Sequence, residues 1–157
     1  MPLKGEPYTK RFAFCDSPEG IKVDPRIKQS LREALNKLEE AGWEAAEVKL
    51  PPLRSAMENQ LILWVAEMDK SSGQLVAKEN DPDATLIYDR LRKISKYRNS
   101  DQIMFALQDR ANLTRQWKKF LFDHPLLLCP VSCSLPFDDL QDVRSEEDFE
   151  QIIEHQN

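Results

Sequence analysis

The chain has 157 residues, 41% of them apolar and 31% charged, and a formal net charge of −5. That length is about one ordinary domain, which buries roughly 70% of the surface its unfolded chain exposes, so one core is within reach and the composition excludes a disordered chain. The acidic balance argues against general nucleic-acid binding, which needs a basic face, and no apolar run approaches the roughly 20 residues of a membrane-spanning helix.

Met1 to Pro7 is a polar, proline-punctuated lead-in without the apolar centre of a signal peptide, so a cytoplasmic location is expected. Arg11-Phe12-Ala13-Phe14-Cys15 is short, aromatic and bounded by the turn formers Asp16, Ser17, Pro18 and Gly20, which predicts a first strand. Asp24-Pro25 then opens a helix: the aspartate accepts orphan amide hydrogens, and proline at the first helical position loses nothing by lacking one. Ile27, Leu31, Ala34, Leu35 and Leu38 keep helical spacing until Gly42 offers a C-terminal cap. Glu44 to Leu50, half polar and ended by Pro51-Pro52, suits a strand near an edge. Arg11 to Leu50 is thus one β-α-β unit with parallel strands.

A helix is predicted over Leu53 to Met68, with Leu53, Met57, Leu61, Trp64, Val65 and Met68 inward and Ser71-Ser72-Gly73 as its break. Asp81-Pro82 starts another, carrying Leu86, Ile87, Leu91 and Ile94. Ser100 is expected to cap a long helix that buries Ile103, Leu107, Ala111, Thr114, Trp117, Phe120 and Leu121 and stops at Asp123-His124-Pro125. Leu126-Leu127-Leu128-Cys129-Pro130-Val131 is apolar at every position, the habit of an inner strand covered on both faces. The strand Arg11 to Cys15 is expected in the middle of the sheet or beside it. After Phe137 come a loop and a helix from about Ser145, acidic in its first turn where that complements the dipole. From Asp138 onward the chain carries −7, leaving +2 for the remainder; a solvated helical face accounts for this, with an acidic docking tail as the alternative. The expected fold is α/β, a small parallel or mixed sheet of about three strands covered by helices, in one domain over 1–157.

Chemistry is sparse. Cys129 and Cys133 are separated by three intervening residues instead of the two usual in zinc knuckles, Cys15 is distant in sequence, and His124 and His155 make no ligand pair with them, so no metal and no cofactor is expected. The three thiols read as small buried hydrophobes, and a nucleophilic Cys129 or Cys133 would need a base that nothing in the sequence supplies. Ser71-Ser72-Gly73 lacks the glycine-rich turn that builds an oxyanion hole, since the whole chain has only Gly5, Gly20, Gly42 and Gly73; it reads as a helix break. The same scarcity excludes a phosphate-cradling loop. Trp64, Met68, Trp117 and Phe120 fall at core positions, which favours packing over a ligand-stacking stripe.

The order of several segments resembles the amidase signature family of amide hydrolases. They are Arg11-Phe12-Ala13-Phe14, Gly20 to Pro25 opening a helix with Leu31, Ala34 and Leu38, Ala41-Gly42-Trp43-Glu44, and Val48-Lys49-Leu50-Pro51. Later come Leu113 to Trp117 and Leu126 to Val131, ending in Leu135-Pro136-Phe137. The resemblance runs over 11–137, with 1–10 as lead-in and 138–157 as acidic tail. It implies a partial amidase-signature fold downstream of the family's catalytic Ser-Ser-Lys segment, hence no catalytic residue in this chain and no activity alone. It also implies that the turn Pro130, Val131, Ser132 and Cys133 forms a wall of the substrate cleft. Ser71-Ser72-Gly73 stands in the wrong order, without flanking glycines, so the family's serine roles do not carry over to it. The expected partner is a complementary amidase half or a second copy, with neither nucleic acid nor membrane involved; the alternative is a non-catalytic binding or self-associating module.

Overall fold

Three parallel strands, β1 (Arg11–Phe14), β2 (Glu44–Glu47) and β3 (Leu127–Leu128), form a sheet in the order β2-β1-β3. The computed structural model describes residues 10–156, with the side chains of His155 and Gln156 outside the description; the lead-in before Lys10 lies outside the described residues. The chain divides into two compact units, Met1–Pro51 with Gln116–Leu135, and Pro52–Arg115 with Pro136–Asn157.

In the first unit β1 is the central strand, with Phe12 opposite Ala45 on one side and Ala13 opposite Leu127 on the other. Paired on both edges, it supplies the most buried residues of the sheet, Phe12, Ala13 and Phe14. Helix α1 (Pro25–Glu40) starts as expected: the Asp24 carboxylate accepts the Arg26 N–H at 2.8 Å. It also ends as expected. Gly42, at φ 82°, takes a left-handed conformation that costs glycine nothing, which lets the Gly42 N–H reach the Glu39 carbonyl (2.8 Å) and the Trp43 N–H reach Leu38 (2.9 Å). Leu31 of α1 packs on Phe12 and Phe14, with Ile27, Leu35, Leu38, Trp43 and Leu128 around them. Each fully buried leucine or phenylalanine here contributes about 1.5–3 kcal/mol.

The leucine run is not an inner strand. β3 is an edge of this sheet, its two residues are half-buried, and Leu126 is 50% exposed. The ladder to β1 uses the carbonyls of Leu126 and Leu128, which accept from the N–H groups of Ala13 (2.9 Å) and Cys15 (3.1 Å). Pro125 and Pro130 bracket the run and have no N–H to extend a ladder, so an uninterrupted apolar pattern here does not make a central strand.

In the second unit α2 (Arg54–Lys70) buries Ile62, Val65 and Ala66, while Trp64, expected inside, is 49% exposed. Residues 61–66 are apolar all the way round the helix, so spacing alone does not select the face. The break at Ser71 is observed, but α3 (Gly73–Glu79) follows directly, ending at Asn80 in the left-handed conformation. Helix α4 (Pro82–Ile94) is capped by Asp81, whose carboxylate accepts the N–H groups of Asp83 (2.8 Å) and Ala84 (3.2 Å). Buried Arg90 donates to the Asp142 carbonyl and lies over the Phe149 ring at 5.5 Å, tying α4 to the C-terminal helices α6 (Gln141–Arg144) and α7 (Glu146–Gln156). The start of α7 is as expected, with the Ser145 hydroxyl accepting the Asp148 N–H at 3.0 Å.

Helix α5 (Ser100–Asp123) has residues 100–115 in the second unit and 116–123 in the first. Its cap is Asn99, not Ser100. The Asn99 side chain accepts the Asp101 N–H (3.0 Å) and the Gln102 side chain accepts the Asn99 N–H (3.1 Å), a reciprocal capping box. The buried positions are Ala106 and Leu113; Leu107 and Leu121 are each 44% exposed and Ala111 and Thr114 are exposed, so the inward face is rotated from the expected one. A bond from the Asn59 amide to Asp109 at 2.7 Å turns a polar position inward, which an apolar tally does not register.

Candidate functional site

Parallel strands send their carboxyl ends to one side, and ligand crevices in open α/β sheets form there, where the strand order reverses. In this sheet the chain leaves β1 for β2 on one side and comes back to β3 on the other, so the reversal lies between β1 and β3. Cys15, Asp16 and Ser17 follow β1, and Cys129 through Cys133 follow β3.

The turn Pro130, Val131, Ser132 and Cys133 is anchored at its end. The Cys133 carbonyl accepts the Asp24 N–H at 2.9 Å, which ties the turn to the cap of α1. Ser132 Oγ donates to the Ser134 carbonyl at 2.9 Å and accepts its N–H at 3.3 Å. Cys133 is buried, whereas Val131 is completely exposed. A fixed turn with one bare aliphatic side chain can shape an apolar contact; its hydroxyl is committed to the backbone.

The structure brings the three thiols together. Cys15 and Cys129 are half-buried, Cys133 is buried, and all three are free. Burial pushes the Cys129 thiol up, with Cys15 and then Cys133 adding to the effect, and burial followed by Cys15 does the same to Cys133. Both therefore stay protonated and poorly nucleophilic near neutral pH. The His124 ring packs on Phe120 at 5.1 Å, and among the described residues its side chain bonds to no thiol. Among the described residues no three His, Cys, Asp or Glu side chains are placed to hold a metal ion.

Ser71-Ser72-Gly73 is a junction between helices. Ser71 Oγ donates back to the Glu67 carbonyl at 2.8 Å, and Ser72 precedes α3. Gly73 serves close packing, because a Cβ there would come within 2.7 Å of both the Met68 carbonyl oxygen and the Tyr88 hydroxyl. Trp117 and Phe120 pack edge to face at 5.6 Å, consistent with a packing role.

One pair was not anticipated. Lys28 Nζ donates to Ser17 Oγ at 2.6 Å, and Arg32, one turn further along α1, pairs with Asp16 at 3.5 Å. Ser17, with Cys15, Gly20, Glu47 and Lys49, lines a cavity of about 660 Å³ at the carboxyl ends of β1 and β2. Because the lysine is the donor, the serine is held as an acceptor, and the pair fastens the loop after β1 to α1. The four-residue spacing of Lys28 and Arg32 was the available signal.

A sequence profile of the Amidase family matches residues 1–153. The chain is similar to an indoleacetamide hydrolase of Bradyrhizobium diazoefficiens, at 23% identity over 124 residues, covering 79% of this chain and 24% of that protein. A Bradyrhizobium japonicum indoleacetamide hydrolase is 22% identical over 122 residues, covering 78% and 26%. The chain thus spans about a quarter of the length of the curated relatives it matches. With a β-α-β unit and a proline-bracketed leucine strand inside a match that spans nearly all of its residues, this chain belongs to the amidase family.

Proposed function

We propose that the chain is a cytoplasmic scaffold portion of a carboxamide hydrolase, with Pro130, Val131, Ser132 and Cys133 as a wall of the substrate cleft and no bond-breaking of its own. The reaction of the complete machinery adds water across an amide C–N bond, giving a carboxylic acid and an amine. One observation carries the reading: the sheet and its rim are built, while Ser71 is spent on terminating α2 and the two thiols after β3 are held protonated. The test is incubation of the purified chain with indole-3-acetamide and simple aliphatic and aromatic amides, following ammonia release. No turnover is expected. Turnover that persists in a Ser71→Ala/Ser72→Ala variant would show that another residue is catalytic and end the scaffold reading.

A second reading, association through the open edge, is favoured by the apolar surface of the first unit, where Phe122 is 88% exposed and Leu126 50%. A complementary amidase half or a second copy would cover it. Sedimentation across a wide concentration range is expected to show self-association, and monomer throughout would exclude the second copy.

A further inference from the structure

A cavity of about 540 Å³ in the second unit, within the size range of small-molecule sites, is lined by the cations Arg92, Lys93 and Arg98. Val65 and Tyr97 supply its apolar part, and Asp69 and Asp89 face the cations. All three cations are held by other groups, Lys93 Nζ by Glu146 at 3.1 Å. Arg92 Nε donates to Asp69 at 3.2 Å and its guanidinium lies 5.6 Å from the Tyr88 ring centroid, while the Tyr88 hydroxyl donates to the same carboxylate at 2.5 Å. Arg98 Nη1 donates to the carbonyls of Ser95 and Tyr97, both at 2.6 Å, so the remaining three donors of its guanidinium belong to Nε and Nη2.

The loop carrying Tyr97 and Arg98 is itself tightly bonded. Ser95, fully buried, accepts the Tyr97 N–H at 3.1 Å; Gln102 donates to the Lys96 carbonyl and accepts the N–H groups of Arg98 and Asn99. The Gln102 bonds belong to the capping box of α5, whereas the two bonds of Arg98 Nη1 are additional and fix its guanidinium in place. Asp69 is already satisfied by Arg92 and Tyr88, and Lys93 pairs with Glu146 outside the lining, so the anion-binding capacity of the cavity rests first on the three remaining donors of Arg98.

We propose that this cavity binds a small organic monoanion, a carboxylate on an apolar or aromatic body. The planar carboxylate matches the fork of Arg98, with Lys93 adding charge and the body lying against Tyr97 and Val65. A doubly charged phosphate would instead meet Asp89 in the same space at greater cost. The site lies wholly within the second unit and does not depend on the turn at Pro130, so its fate is separable from that of the scaffold reading.

The test is titration of the full chain with phenylacetate at constant ionic strength, followed by backbone amide NMR. Saturating shifts are expected around residues 92–98. Arg98→Gln should weaken binding about tenfold, as loss of a charged hydrogen bond implies, and Lys93→Gln, at an exposed ion pair with Glu146, about threefold with its melting curve unchanged. Inorganic phosphate should bind more weakly, the neutral alcohol 2-phenylethanol should produce no saturating shift, and Arg26→Gln, in the other unit, should leave binding intact. Shifts that never saturate, an equal response to the alcohol, tighter binding of phosphate, or unaltered affinity in both the Arg98 and Lys93 variants would each overturn the proposal.

Discussion

Replacing Gly73 by alanine should destabilise the chain although it adds only a methyl group to a helix. In an open helix alanine is favoured over glycine by about 0.8–1.0 kcal/mol. Here the new Cβ would meet the Met68 carbonyl oxygen and the Tyr88 hydroxyl, each at 2.7 Å, and the Tyr88 Cζ at 3.1 Å. The tyrosine can swing away at the expense of its 2.5 Å bond to Asp69, but the Met68 carbonyl belongs to the backbone of the last turn of α2 and cannot yield without moving the α2–α3 junction. Overpacking of this kind costs about 1–3 kcal/mol, so after the helix gain the net loss should lie within about 0–2 kcal/mol, in the upper part of that range because the Met68 carbonyl is backbone. Urea denaturation followed by far-ultraviolet circular dichroism should show a lower midpoint with an unchanged slope. A second variant, Gly73→Ala/Tyr88→Phe, relieves the hydroxyl contact and should recover only part of the loss. An equal or higher midpoint for Gly73→Ala would refute the reasoning, because it would mean that the two helices are not packed as closely as the distances state. The same displacement of Tyr88 should loosen Arg92 and weaken phenylacetate binding.

Three further outcomes test other parts of the structure. Phe12→Ala, at the centre of the sheet and 2% exposed, should cost about 3–5 kcal/mol and leave a chain that melts without a sharp transition. Asn99→Ala removes the acceptor for the first amide hydrogens of α5 and should cost about 1 kcal/mol by urea denaturation, whereas Ser100→Ala should be close to neutral. Burial pushes the Tyr88 hydroxyl up to about 12 from 10.0, helped by its bond to Asp69; the phenol stays protonated in the folded chain after it has ionised in the unfolded one. Its contribution to stability is therefore complete below pH 10 and is lost as pH rises from about 10 to 12, and Tyr88→Phe should flatten that part of the stability profile.

Comparing the two levels of description, local signals carried furthest. Asp24-Pro25, Gly42, Asp81-Pro82 and the stop before Pro125 all act through hydrogen bonds or steric limits within a few residues, so their outcome is written in adjacent letters of the chain. The β-α-β unit and the edge placement of β2 were legible for the same reason, as was the relation to amidases. Which face a helix turns inward was not legible where the helix is apolar on every side. Trp64 faces out and Ile62 in because neighbouring helices, far away in sequence, decide where water is excluded. The leucine strand became an edge, Arg90 found a buried carbonyl and an aromatic ring, Lys28 met Ser17, and three cysteines spread over the whole chain converged. Each of these depends on burial and on partners supplied from a distance, and only tertiary packing brings those together; capping and turn chemistry need nothing beyond the next few residues.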